Sequence, residues 1–213
     1  ANIATECGGD CDTERLVAFY GEQLAARQRV VGSILGLADI GRAIDADVVL
    51  QFISEPDRHM RMAALFALKK LAPLTARIHA LVLIIDPNKR IRALAESILL
   101  EQHDEEVVER GRELIASSAT MHRMVGLSLL NKFGGWKPLA DTLGACLDAS
   151  PQVADQAWAN LDAWTAYARR LFSEPAVVDI ERARTTFSRV RSEITSPTYS
   201  QKSVLDRVAV YLS

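Results

Sequence analysis

The middle of this 213-residue chain repeats itself at a fixed step of 31, and that step limits its possible folds more tightly than any motif does. Counting from Met60 reaches Ile91, His122 and Val153; from Ala64, it reaches Ala95, Gly126 and Ala157; from Leu68, it reaches Leu99, Leu130 and Leu161. A second set of segments keeps the step through Ile53, Ile84, Ile115 and Cys146. Each period therefore holds two apolar stripes. Neither can bury itself alone, which predicts helix pairs stacked so that each covers its neighbour.

Turn signals divide the pairs. Residues 1–12 are rich in Gly, Asp and Cys without any period and read as a loose lead-in, with order beginning near Thr13. Leu16, Phe19, Tyr20 and Leu24 mark one helical stripe, and Val30, Ile34, Leu37 and Ala38 the next. Further pairs are expected over 46–54 and 57–71, then 74–85 and 88–101, broken at matching places by Glu55-Pro56 and Asp86-Pro87. Asp104 caps the next helix, with Glu105 and Glu106 on the positive end of its dipole; a turn follows at Ser117-Ser118, and Gly134-Gly135 ends the pair. The fifth pair runs from 136 to 147 and from Ser150, a cap followed by Pro151, to 171. The repeat stack thus spans 13–171. Residues 172–213 should add two capping helices to the same domain, burying Val178, Phe187, Val190, Leu205 and Val208. No strand alternation of useful length occurs.

Met60-Arg61-Met62-Ala63-Ala64-Leu65-Phe66-Ala67-Leu68 and Ile91-Arg92-Ala93-Leu94-Ala95-Glu96-Ser97-Ile98-Leu99 resemble the V-R-x-x-A-x-x-A-L signature of HEAT repeats. His122-Arg123 with Gly126, and Val153-Ala154 with Ala157, are degenerate copies. The resemblance is good over 43–133 and fair to 165. It implies an all-α, right-handed α-solenoid of about five helix pairs with a C-terminal helical cap, the second helices lining the concave side. It implies no enzyme, substrate or compartment.

Arg61, Arg92 and Arg123 form a ladder at the repeat step. A guanidinium in this register is expected to tie neighbouring repeats together through turn carbonyls or through Glu55, Asp57 or Asp86, although three such groups could also meet phosphates or carboxylates of a partner. On the helical wheel the outward positions are Arg58, Met62 and Lys69, then Lys89, Ala93 and Leu100, then Thr120, Met124 and Asn131, then Pro151, Asp155 and Asp162. Arg58, Met62, Lys69, Lys89, Met124 and Asn131 are therefore the candidate partner-binding residues.

Charge is uneven: residues 1–57 carry 4 basic and 10 acidic side chains, residues 58–137 carry 13 and 8, and residues 138–213 carry 8 and 9. Adaptable methionines beside cations that give way to acids suit a protein partner better than nucleic acid, whose binding wants continuous positive charge. A non-catalytic interaction module, as a scaffold, adaptor or immunity-type protein, is the expectation. The enzymatic alternative is a HEAT-like DNA-binding or alkylpurine-DNA-glycosylase-like protein, with Trp158, Trp164 and Asp155 or Asp162 cast as base-handling groups.

No phosphate-binding glycine loop, nucleophile elbow or metal-ligand motif is present, so no catalytic residue, cofactor or metal is assigned. Gln102-His103-Asp104-Glu105-Glu106 offers ligand atoms but lies where a helix start favours acids anyway. His122 interrupts an apolar register as a hydrogen-bonded, partly buried side chain. Cys146 stands where other repeats hold isoleucine and reads as a buried, inert thiol, while Cys7 and Cys11 would bridge only in an oxidising compartment. No run reaches the ~18 apolar residues of a membrane span. A cytoplasmic setting is expected, or an exported or anchored one through a segment outside this chain; oligomeric state is left open.

Overall fold

The computed structural model describes residues 6–102, 104–168 and 174–213, with side chains from residue 12 onward. All regular structure among the described residues is helical. It gathers into two compact units, Ala1–Glu101 and Gln102–Ser213. The sequence led us to expect one continuous stack. The 31-residue step runs straight through the division, so periodicity carries no mark of it.

In the first unit, α1 (Glu6–Ala25) and α2 (Val30–Ile40) form one pair. A single 3-10 turn, Ala43–Asp45, leads into α3 (Ala46–Leu50), which is followed by α4 (Arg58–Leu71), α5 (Pro73–Leu83) and α6 (Lys89–Leu99). The turns choose these bounds. Asp57 and Asn88 accept the backbone N–H of His59 and Arg90 at 2.7 and 2.9 Å, and Pro73 opens α5 where its missing N–H costs nothing. α4 is the hub, packing on α2, α3, α5 and α6.

α1 departs from expectation at both ends of its argument. It begins at Glu6 and not near Thr13, because no proline interrupts 6–13 and each added residue of a started helix gains one hydrogen bond. Leu16 and Phe19, read as part of its buried stripe, are 46% and 47% exposed, whereas Leu24 is 1%. A terminal helix whose main neighbour is α2 alone covers only part of its stripe. Where the two helices meet, Tyr20 lies over Gly36; a Cβ there would fall 2.4 Å from the ring. A Cys7–Cys11 bridge concerns side chains outside the described residues.

The second unit holds α7 (Glu105–Ile115), α8 (Thr120–Phe133), α9 (Leu139–Ala145), α10 (Pro151–Ala168), α11 (Val177–Glu193) and α12 (Tyr199–Leu212). α9 packs on α7 and α11, while α10 packs on α8 and α12. The two closing helices, though outside the sequence period, thus keep the alternation of first-helix and second-helix layers. Arg112 on α7 and Arg182 on α11 both reach Asp141 on α9, which ties the first-helix layer together; Arg112 Nε lies 3.1 Å from its carboxylate.

The repeat registers supply both cores. Leu68, Leu99, Leu130 and Leu161 are fully buried, as are Ala64, Ala95 and Ala157. Gly126 takes the alanine position because α7 and α8 approach closely. A Cβ on it would meet the Gly111 carbonyl oxygen at 2.7 Å and Leu114 Cβ at 2.9 Å. Phe187, Val190, Leu205 and Val208 are buried as expected, but Val178 is 67% exposed. The buried face of α11 is Ala183, Phe187 and Val190; Val178, five residues before Ala183, falls about 140° around the helix from it.

Candidate functional site

The arginine register builds the turns first. Arg61 Nη1 donates to the carbonyls of Glu55 and Pro56, both at 2.7 Å. Arg92 does the same to Asp86 and Pro87 at 2.7 and 3.0 Å, and Arg123 to Ser117 and Ser118 at 3.1 and 2.9 Å. Two of the three also fork onto a carboxylate 25 residues ahead: Arg61 Nε and Nη2 on Asp86 at 2.8 and 3.1 Å, Arg123 on Asp148 at 2.8 and 3.0 Å. The residue 25 after Arg92 is Ser117, which has no carboxylate. Asp57, considered as an arginine partner, instead caps α4.

Asp86 and Asp148 serve their own turns as well, accepting the N–H of Asn88 and Ser150 at 2.7 and 2.8 Å. Burial alone would raise the Asp86 pKa. The Arg61 bond, the Asn88 N–H and the charges of Arg61 and Arg92 outweigh it and hold the carboxyl below its ordinary value. His122 is half-buried with Nδ1 3.2 Å from Ser117 Oγ.

The outward residues of the first unit divide. Arg58 on α4 and Lys89 and Arg90 on α6 are exposed, and none has a carboxylate partner among the described residues. Lys69 is half-buried and engaged with Glu101, and Met62 is half-buried. In the second unit Asn131 is exposed, whereas Met124 packs against the core. The two methionines therefore offer less apolar surface than the helical wheel implies.

The second-helix layer of the second unit is grooved on both sides of α10. One groove, about 550 Å³, lies between the end of α8 with its glycine turn and α10, and includes Asn131, Lys132, Gly135 and Tyr167. The other, about 520 Å³, lies between α10 and α12 and is bounded by Asp162, Thr165, Arg207, Val210 and Tyr211. Ala163 borders both. Arg207 pairs with Asp162 and donates to Thr165 Oγ1 at 3.1 Å, bracing the floor. Tyr167 and Val210, 53% and 72% exposed, project apolar surface beside these grooves. Sequence reading placed Asn131 of the first groove on the outward face but missed Tyr167, and it missed the second groove because α12 lies outside the period and offered no register in which to place a wall.

The groups cast for base handling all lie on α10, in different surroundings. Trp164 is buried, its Nε1–H bonded to the Gly135 carbonyl at 2.8 Å and its ring edge-on to Trp136 and Tyr211. Trp158 packs half-buried on the core, Asp155 is exposed, and Asp162 is engaged by Arg207. Among the described residues no three His, Cys, Asp or Glu side chains cluster as metal ligands. None of their helices is long and apolar enough to cross a membrane. Cys146 is buried and free, its thiol pushed up to about 12 by burial.

These elements define an all-α helical-repeat protein. No protein-family model matches the sequence, and no curated protein is significantly similar to it. Among solved structures it is similar to the crystal structure of an engineered protein, at 13% identity and a TM-score of 0.49, covering 94% of this chain and 96% of the other. It is also similar to an archaeal HEAT-like repeats protein from Thermococcus onnurineus NA1, at 16% identity and a TM-score of 0.42, covering 93% and 81%.

Proposed function

We propose that this chain is a non-catalytic interaction module whose second helices present surfaces to a protein partner, in a scaffold, adaptor or immunity-type role. The observation that carries this reading is the pair of open grooves flanking α10, bordered by exposed Tyr167 and Val210. In the first unit, Arg58 and Lys89 stand at the starts of α4 and α6, where the helix dipole disfavours cations, and acids on a partner would relieve both. Met62, Lys69, Met124 and Asn131 border these surfaces in supporting roles. The arginine ladder is assigned a structural role, because its donors are spent on turn carbonyls and carboxylates of the chain itself.

The test compares partner recovery from native cells by the wild type, by Arg58→Glu/Lys89→Glu and by Tyr167→Ala/Val210→Glu, all at matched stability. Loss of one specific protein with either double variant supports the reading. Identical recovery by all three removes these surfaces from consideration, and specific excision of damaged bases from DNA would turn the assignment to the glycosylase-like alternative.

A further inference from the structure

α5 has its apolar residues on the wrong side for a helix that only packs inward. It rests on α4 and α6 through Ala76 and Ala80, both fully buried, and Arg77, its one residue of fixed charge, is buried and donates to the Leu99 carbonyl at 3.2 Å. On its outer side Leu74, Ile78 and Val82 are 73%, 64% and 64% exposed. They are spaced four apart and so form one row along the helix. The row holds about 300 Å² of apolar surface, which matches the largest patches that folded monomers carry, often at functional places. No charged side chain of α5 interrupts it.

We propose that α5 is a self-association face that pairs two copies of this chain antiparallel about a two-fold axis at Ile78. A row of three with its middle member on the axis is self-complementary: Ile78 meets its own copy, and Leu74 meets Val82 of the other chain at both ends. A charged face would repel its copy in such a contact, and this one carries no charge to do so.

Area sets the strength. The two rows together bury about 600 Å², and the half-buried Thr75 and Leu81 on either side add to the contact, which stays below the ~1,200 Å² that marks the lower edge of a stable interface. The dimer is accordingly weak and reversible, and this face is separate from the second-helix surfaces proposed above.

Sedimentation velocity of the full chain from about 10 µM to 1 mM spans the range in which so small an interface populates. The wild type should show a weight-average sedimentation coefficient that rises with concentration. Ile78→Glu and Ile78→Lys should each remain at the monomer value, and so should Val82→Glu. An equimolar mixture of Ile78→Glu and Ile78→Lys should associate again, because opposite charges then face each other across the axis. A wild type that stays monomeric throughout, an Ile78→Glu variant that associates as the wild type does, or a mixture that associates no better than its components would each overturn the proposal.

Discussion

Arg61→Ala should cost more stability than Arg92→Ala, although the two arginines occupy the same register and hold the same two turn carbonyls. Truncating Arg92 removes two charge-assisted bonds to backbone oxygens, worth about 1–3 kcal/mol in total when the freed carbonyls stay partly in reach of water. Truncating Arg61 removes the equivalent pair and also strands Asp86, whose side chain is 4% exposed beside a guanidinium that is 14% exposed. Breaking a buried pair from one side costs about 3–5 kcal/mol, so a melt should fall by roughly 6–20 °C for Arg61→Ala. The sign of the pH dependence sharpens the test. A carboxyl held below its ordinary pKa contributes stability that is full above about pH 4 and lost as pH falls through the folded value. In Arg61→Ala burial is no longer opposed by that bond, the folded pKa rises, and protonation relieves the stranded charge. The gap between wild type and Arg61→Ala, measured by denaturant titration at neutral and acid pH, should therefore narrow on acidification. Equal losses for the two alanine variants, or a gap that is constant with pH, would refute the assignment of energy to the Asp86 fork.

Gly126→Ala should destabilise by about 1–3 kcal/mol in denaturant midpoint even though alanine fills this register in three other repeats, because its Cβ would strike the Gly111 carbonyl, Leu114 and the Ile115 amide. A neutral Gly126→Ala would show that α7 and α8 separate at little cost. Trp136→Phe should lie within about 1 kcal/mol of wild type or stabilise, since the indole Nε1 is buried with no acceptor among the described residues, whereas Trp164→Phe forfeits the bond to Gly135 and should cost more; a reversed order in thermal melts would contradict the geometry. Cys146 should resist thiol reagents in the native state at neutral pH and react on unfolding, as its thiol is raised to about 12; the neutral form it favours adds stability that is full below the unfolded pKa and is lost as pH rises through that value toward about 12. Rapid native labelling would count against its burial.

What the sequence disclosed followed from whether a residue's neighbours share its period. Leu99 and Leu130 sit in the same surroundings one step apart, so spacing alone foretold their burial, and the Asp-Pro and Ser-Pro turns foretold the starts of α6 and α10 to within a residue. Val178 failed because apolar character was read without the angle it subtends on α11. The methionines failed in part because an outward angle on a wheel does not say how near the next helix stands, and Met124 leans back onto the core. Asp141 was passed over for a different reason. Its partners Arg112 and Arg182 lie 29 and 41 residues away, neither of which is the repeat step, so no register pointed to the bridge between them.

Engagement within the chain, and not periodicity alone, separates scaffold from surface in this molecule. The arginines that recur at the repeat step are engaged by the turns of each pair, each holding two turn carbonyls of the chain itself. The features left for a partner are those the fold does not consume: Arg58 and Lys89, one repeat apart, have no carboxylate partner among the described residues, and Tyr167 and Val210 stand exposed beside the grooves flanking α10. Stacking requires each pair to present the same inward residues to the next, so a periodic residue on the packing face is already committed to a neighbour of its own chain. Recognition of something outside the chain must then rest on side chains that packing leaves unengaged, whether they keep the period, as Arg58 and Lys89 do, or not, and the surface variants chosen for the binding test are drawn from those.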